Sequence, residues 1–213
     1  IAFAVLAYVV LDGFDLGVGI LFPFAGGEHE RDVMMNSVAP VWDGNETWLV
    51  LGGGGLMAVF PLAYSIVMPA LYAPIIAMLL ALVFRGVAFE FRWRDPGHQK
   101  FWDLAFTGGS FLAAFSQGVI LGALLQGVAI SGRSYAGGWW DWLTPFTLLL
   151  GVLSAIAAAN SQRLRRSHWK SSRWPSSKTI RPSDRSISTR ALPSAPGPST
   201  PDTCGPSSTP ASA

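Results

Sequence analysis

The 213-residue chain is 50% apolar and only 13% charged, with a mean hydropathy of +0.37. Between Thr47 and Phe84 lie 38 residues without a single Asp, Glu, Lys, Arg or His; as one helix that run would be about 57 Å long, enough for two crossings of a ~30 Å hydrocarbon core, so a soluble domain is excluded. The net charge of +2 averages two unlike pieces: residues 1–160 carry 6 Lys+Arg against 11 Asp+Glu, residues 161–213 carry 9 against 2, and the lone Cys204 excludes a disulfide framework.

Five apolar segments are predicted, which makes the chain an all-α polytopic membrane bundle over residues 1–160. The first, 1–24, begins on Ile1 without the basic start or cleavage site of a secretory signal, and reads as the inside of a span. The second covers 43–60 and is closed by Pro61. The third covers 62–91, with Pro69 and Pro74 expected to kink it without breaking it. The 61–63 turn is short enough to make spans two and three an antiparallel hairpin. The fourth covers 102–130, and the fifth starts at 142 and is cut off after Asn160. Turn formers mark the links 25–42, 92–101 and 131–141, and Trp139, Trp140 and Trp142 form an aromatic belt at the mouth of the last span. Basic residues in the short links set the orientation. Arg31, Arg92, Arg94 and Lys100 share one side and only Arg133 lies on the other, so the N-terminus is expected outside and the four-cation side in the cytoplasm.

Within these spans a few residues are expensive. Asp12 and Asp15, three apart, share a helix face, and a carboxylate at mid-bilayer costs about 2.5–3.5 kcal/mol on insertion scales. Two readings stay open: solvation near the headgroups, or a protonatable pair on a buried or hydrated face. Asp43 and Glu46 in Asp43-Gly44-Asn45-Glu46 have capping-box spacing at the start of the second span. Flanking Trp42 and Trp48 suit an interfacial anchor, and capping competes with a functional role. Gly52 to Gly55 cost roughly 1 kcal/mol each relative to Ala, which implies backbone contact with another helix or a bound group. The spacing of Gly13 and Gly17, repeated by Gly118 and Gly122, suits close helix packing. Arg85 and Glu90 either snorkel to the interface or pair internally with carboxylates of neighbouring helices. Gln117 and Gln126 offer polar contacts across helices. His29, His98 and His168 all lie outside the apolar spans, so no redox metal or heme is expected on this chain, and nothing points to nucleic acid.

The stretches LDGFDLGVG (Leu11 to Gly19), NSVAPVWDGNETWLV (Asn36 to Val50) and FRGVAFEFRWR (Phe84 to Arg94) resemble subunit 2 of cytochrome bd-type quinol oxidases, nearest the cyanide-insensitive branch. The resemblance continues through Trp102 to Gly127 and Gly137 to Gly151, and covers roughly residues 1–158. It implies a non-heme membrane subunit of a bacterial inner-membrane complex, paired with a heme-bearing subunit 1 that carries hemes b and d, in which ubiquinol is oxidised and O2 reduced to water. It also implies a proton path through Asp15 and Asp43, with Asp12, Trp42, Glu46, Arg85 and Glu90 in support. The family has eight spans, of which this chain holds fewer. Residues 161–213, with 14 Ser and no Phe, Tyr, Val or Met, are expected to be disordered and to come from an out-of-frame end. On the residues alone, half of a proton-coupled transporter is the alternative, and a non-functional remnant of the same ancestry a third reading.

Overall fold

The computed structural model describes residues 1–171. The chain forms α1 (Ala2–Leu21), a 3-10 turn (Phe22–Phe24), α2 (Glu28–Val38), α3 (Trp42–Val59), α4 (Pro61–Ala70), α5 (Tyr72–Arg94), a second 3-10 turn (Pro96–His98), α6 (Gln99–Gln126), a hairpin of β1 (Ile130–Ser131) and β2 (Ser134–Tyr135), and α7 (Pro145–Ser171). The all-α membrane reading holds. Four segments, Ala2–Phe24, Tyr72–Arg94, Gln99–Gln126 and Pro145–Gln162, are long and apolar enough to cross a membrane. One fewer than expected qualifies, because α3, about 27 Å long over its 18 residues, spends its first turn on Asp43, Asn45 and Glu46.

Helix directions follow from the contacts. Asn45 of α3 meets Asp15 of α1 while Gly52 faces Val5, so α3 runs antiparallel to α1. Tyr8 meets Met78 and Asp12 meets Arg85, so α5 runs parallel to α1. Gly19 meets Ser110 and Gln117 reaches Tyr8, so α6 is antiparallel. Gly118 meets Leu150 and Gly122 meets Thr147, so α7 is antiparallel to α6 and thus parallel to α1, which it meets where Gln162 Nε2 donates to the Phe14 carbonyl at 2.7 Å. One core cluster joins Leu16, Met78, Leu82, Ala113 and Ala155 at mid-bundle, and a second joins Val18, Phe22, Met35, Phe89 and Phe106 toward the α2 end.

Several boundaries differ from the sequence expectation. The predicted third span is two helices, with Leu71 between them at φ −116° and ψ 19°. Pro74 has no N–H for the Ala70 carbonyl and its ring crowds that oxygen, so the chain breaks there instead of merely kinking. The expected tight hairpin after Phe60 is replaced by α4, whose Val67, Ala70 and following Leu71 pack with Ala123, Tyr135 and Trp142 at the end of the bundle where α1 and α5 begin. The links 25–42 and 131–141 contain α2 and the β-hairpin, both unforeseen. The tail predicted disordered over 161–213 is corrected in its first part, since α7 continues as helix to Ser171, and the rest, 172–213, lies outside the described residues.

Candidate functional site

α1 is apolar enough to be buried on several faces, and its two carboxylates point inward. Asp12, Asp15 and Arg85 are all 0% exposed. Arg85 Nη1 donates to Asp12 Oδ1 at 3.4 Å and to Glu46 Oε1 at 3.1 Å, so one guanidinium ties α5 to both α1 and α3. Its charge also lies 5.7 Å from the Phe89 ring centroid and 6.0 Å from that of Phe106. Asn45 Nδ2 donates to Asp15 Oδ2 at 2.6 Å. Gln117 Nε2 donates to Tyr8 Oη at 2.7 Å and to Asp12 Oδ2 at 3.3 Å, and the Tyr8 hydroxyl faces Met78 Sδ at 4.0 Å.

The result is a polar chain through apolar helices, from partly exposed Glu46 through Arg85 to Asp12, Gln117 and Tyr8. Three carboxylates (Asp12, Asp15, Glu46) face one guanidinium. Asp15 Oδ1 and the Nε and Nη2 atoms of Arg85 are closed to solvent and have no hydrogen-bond partner among the described residues. Removing charges from water costs several kcal/mol per ion, and pairing repays it only where the remaining polar atoms are satisfied. Part of this cluster is therefore held at a cost to stability, as is usual where function retains buried charge.

The structure brings Asp12, Asp15, Glu46 and Arg85 together. Of the two readings for Arg85 the internal pair holds, and Glu90 takes the other course: it is exposed and pairs with Arg94 one turn on. Asp43 is not part of the buried cluster. The capping box predicted at Asp43 and Glu46 does not form, because the N-cap lies two residues earlier, at Val41, with no side-chain cap. Trp42 is drawn into the first helical position by stacking on Phe89, centroids 5.3 Å apart, with its ring edge against Gly86. That register leaves Asp43 exposed in the first turn, where its charge suits the helix dipole, and turns Glu46 toward Arg85. Of the four consecutive glycines, Gly52 and Gly55 face Val5 and Ile1 of α1, whereas Gly53 and Gly54 have nothing within 4 Å.

Sequence reasoning missed Tyr8, Asn45 and a second charged cluster at the α2 end. There Arg92, 2% exposed, donates from Nε to Asp103 Oδ1 and from Nη1 to Asp32 Oδ1, both at 2.7 Å, while Arg31 Nη1 reaches Asp103 Oδ2 at 3.3 Å. The available signal was Asp103 lying one turn inside an apolar helix. Within the four apolar spans the possible heme ligands are methionines, His29 lying in α2 outside them. Met78 is buried with the Tyr8 hydroxyl on its sulfur, His98 is paired with Asp95 in an exposed turn at 2.9 Å, and no group of three or more His, Cys, Asp or Glu suited to a metal occurs among the described residues. Met78 and His98, each held by another group, do not form an axial pair with one another.

A model of the family described as cytochrome bd terminal oxidase subunit II matches residues 1–161. The chain is 40% identical over 157 residues to the cytochrome bd-I ubiquinol oxidase subunit 2 of Escherichia coli (strain K12), a match covering 70% of this chain and 41% of that protein. It is 38% identical over 157 residues to a probable cytochrome oxidase subunit 2 of Haemophilus influenzae, covering 70% and 42%. It is 40% identical over 133 residues to the cytochrome bd ubiquinol oxidase subunit 2 of Bacillus subtilis (strain 168), covering 61% and 39%. The chain thus spans about two fifths of the length of these curated relatives.

Proposed function

The chain belongs to the cytochrome bd terminal oxidase subunit II family, and from that premise we propose that it serves as the non-heme membrane subunit of a quinol oxidase, supporting a heme-bearing subunit 1 and conducting protons toward it. The relatives' names supply quinol as reductant. Hemes b and d are assigned to the proposed partner subunit. The proposed setting is the bacterial cytoplasmic membrane, with the N-terminus outside.

The observation that carries this reading is the Asp12–Arg85–Glu46 cluster, closed inside apolar helices yet open to the surface through Glu46, whose side chain is 21% exposed. In the proposed path Asp43, exposed one turn nearer the helix end, collects protons, and Glu46 and Asp15 accept them. Arg85 fixes the position of Asp12 and Glu46 and offsets the charge left when a proton moves on. Gln117 and Tyr8 extend the hydrogen-bonded chain toward mid-bundle. The 2.6–3.4 Å contacts from Asn45, Arg85 and Gln117 hold these carboxylates in place, and the proton passes between them through bridging water.

The test is quinol-dependent O2 uptake by a full-length relative assembled with its heme subunit, comparing Asp15→Asn, Asp43→Asn and Glu46→Gln. Each variant is expected to slow turnover while leaving the heme spectrum intact. Normal turnover with intact spectra in all three would overturn the reading, and Asp43 and Glu46 would then be features of the helix start alone.

A further inference from the structure

We infer that the notch between the 3-10 turn after α1, α2 and the first two turns of α6 is a binding site for one phospholipid with an anionic headgroup. The notch encloses about 310 Å³ and is lined by Phe22, Arg31, Lys100, Asp103, Leu104 and Thr107. Its lining mixes cations with apolar groups, the Arg31 guanidinium lying 5.9 Å from the Phe22 ring centroid. Leu104 lies about 6 Å beyond Lys100 along α6, which matches the ~5–7 Å from the headgroup level to the edge of the hydrocarbon. Trp93 and Phe101, 50% and 57% exposed, place the headgroup level of the bilayer at this end of the bundle.

The charge balance selects the sign of the headgroup. Both oxygens of Asp103 are engaged, Oδ1 by Arg92 and Oδ2 by Arg31, and Asp32 takes the second arm of Arg92. Arg31, Arg92 and Lys100 therefore face two carboxylates, and Lys100 makes no ion pair or hydrogen bond among the described residues. The Nε of Arg31 and the hydroxyl of Thr107 are also without a partner there. Leu104, 69% exposed between Lys100 and Thr107, gives an acyl chain a surface to lie on. A zwitterionic lipid would bring its own cation against Lys100. A phosphatidylglycerol-type headgroup brings only the anion.

The inference is independent of the proton path, since none of its residues belongs to the Asp12–Arg85–Glu46 cluster. It is tested by native mass spectrometry of the full chain in detergent, titrated separately with phosphatidylglycerol, phosphatidylcholine of the same acyl chains, and inorganic phosphate. One phosphatidylglycerol is expected to be retained, with phosphatidylcholine held more weakly and phosphate not competing. Lys100→Gln should weaken retention about fivefold, the effect of one lysine at an anionic surface, and Leu104→Trp, which fills the apolar wall, should abolish it. Both positions are exposed, and unchanged helicity by circular dichroism checks the fold. Equal retention of the two lipids, competition by phosphate alone, or retention untouched by both variants would overturn the inference. So would a photoreactive side chain at position 104 that captures protein and not lipid in membranes.

Discussion

Arg85 decides whether the inner face of α1 can exist as it does. With Asp12 and Arg85 both wholly buried, removing only the cation strands a carboxylate among apolar helices. Breaking one side of a buried pair typically costs about 3–5 kcal/mol, whereas replacing both sides by apolar or neutral groups is often close to neutral. Arg85→Met is therefore expected to destabilise the bundle by about that amount in detergent unfolding titrations, and adding Asp12→Asn to recover most of the loss. Glu46 needs no such rescue, because its partly exposed carboxylate can turn to water. If the double variant were no more stable than the single, the hydrogen bonds from Gln117 and the packing of the Arg85 stem against Phe89 and Phe106, and not the ion pair, would be what holds this region.

At the scale of elements, close approach and register explain what the sequence could and could not tell. Asp12, Asp15, Glu46 and Arg85 were legible because a charge in an apolar run is costly enough to need a partner, although which charge met which depended on the directions of α1, α3 and α5. Capping stayed open for Asp43 because spacing alone cannot show that Trp42, stacked on Phe89, moves the N-cap two residues back to Val41. Tyr8 and Asn45 gave no signal, since an isolated tyrosine or asparagine costs little until it is buried. The Leu71 break was hidden because Pro74 kinks some membrane helices and ends others, according to whether neighbours take up the freed Ala70 carbonyl. The glycines divide in the same way. An added Cβ on Gly17 would overlap the backbone of α7 at Ala158, whereas Gly53 has open space around it. Gly17→Ala should push α7 away and destabilise by about 1–3 kcal/mol, while Gly53→Ala should stabilise α3 by up to about 1 kcal/mol. Unfolding midpoints measured side by side would show whether the four-glycine run serves packing within this chain, in which case Gly53→Ala would also be harmful.

For the membrane-embedded unit as a whole, direction in the bilayer decides what the polar chain can do. The end carrying α2 and the α5–α6 link holds Arg31, Arg92, Arg94 and Lys100, and the end carrying α4 and the β-hairpin holds Arg133. Arg92 is neutralised internally by Asp32 and Asp103, and Arg94 by Glu90, yet lysine and arginine orient short links during insertion largely irrespective of neighbouring acids. The α2 end should therefore face the cytoplasm, with Asp43 and Glu46 near that surface and Tyr8 deeper. With Cys204 replaced by Ser, a cysteine at Ser134 in the hairpin should react with a membrane-impermeant maleimide on intact cells, and one at exposed Ser37 in α2 only after permeabilisation. The opposite labelling pattern would turn the entrance at Asp43 toward the outside, and a relay drawing protons from there would run against the uptake from the cytoplasm that the proposed function requires.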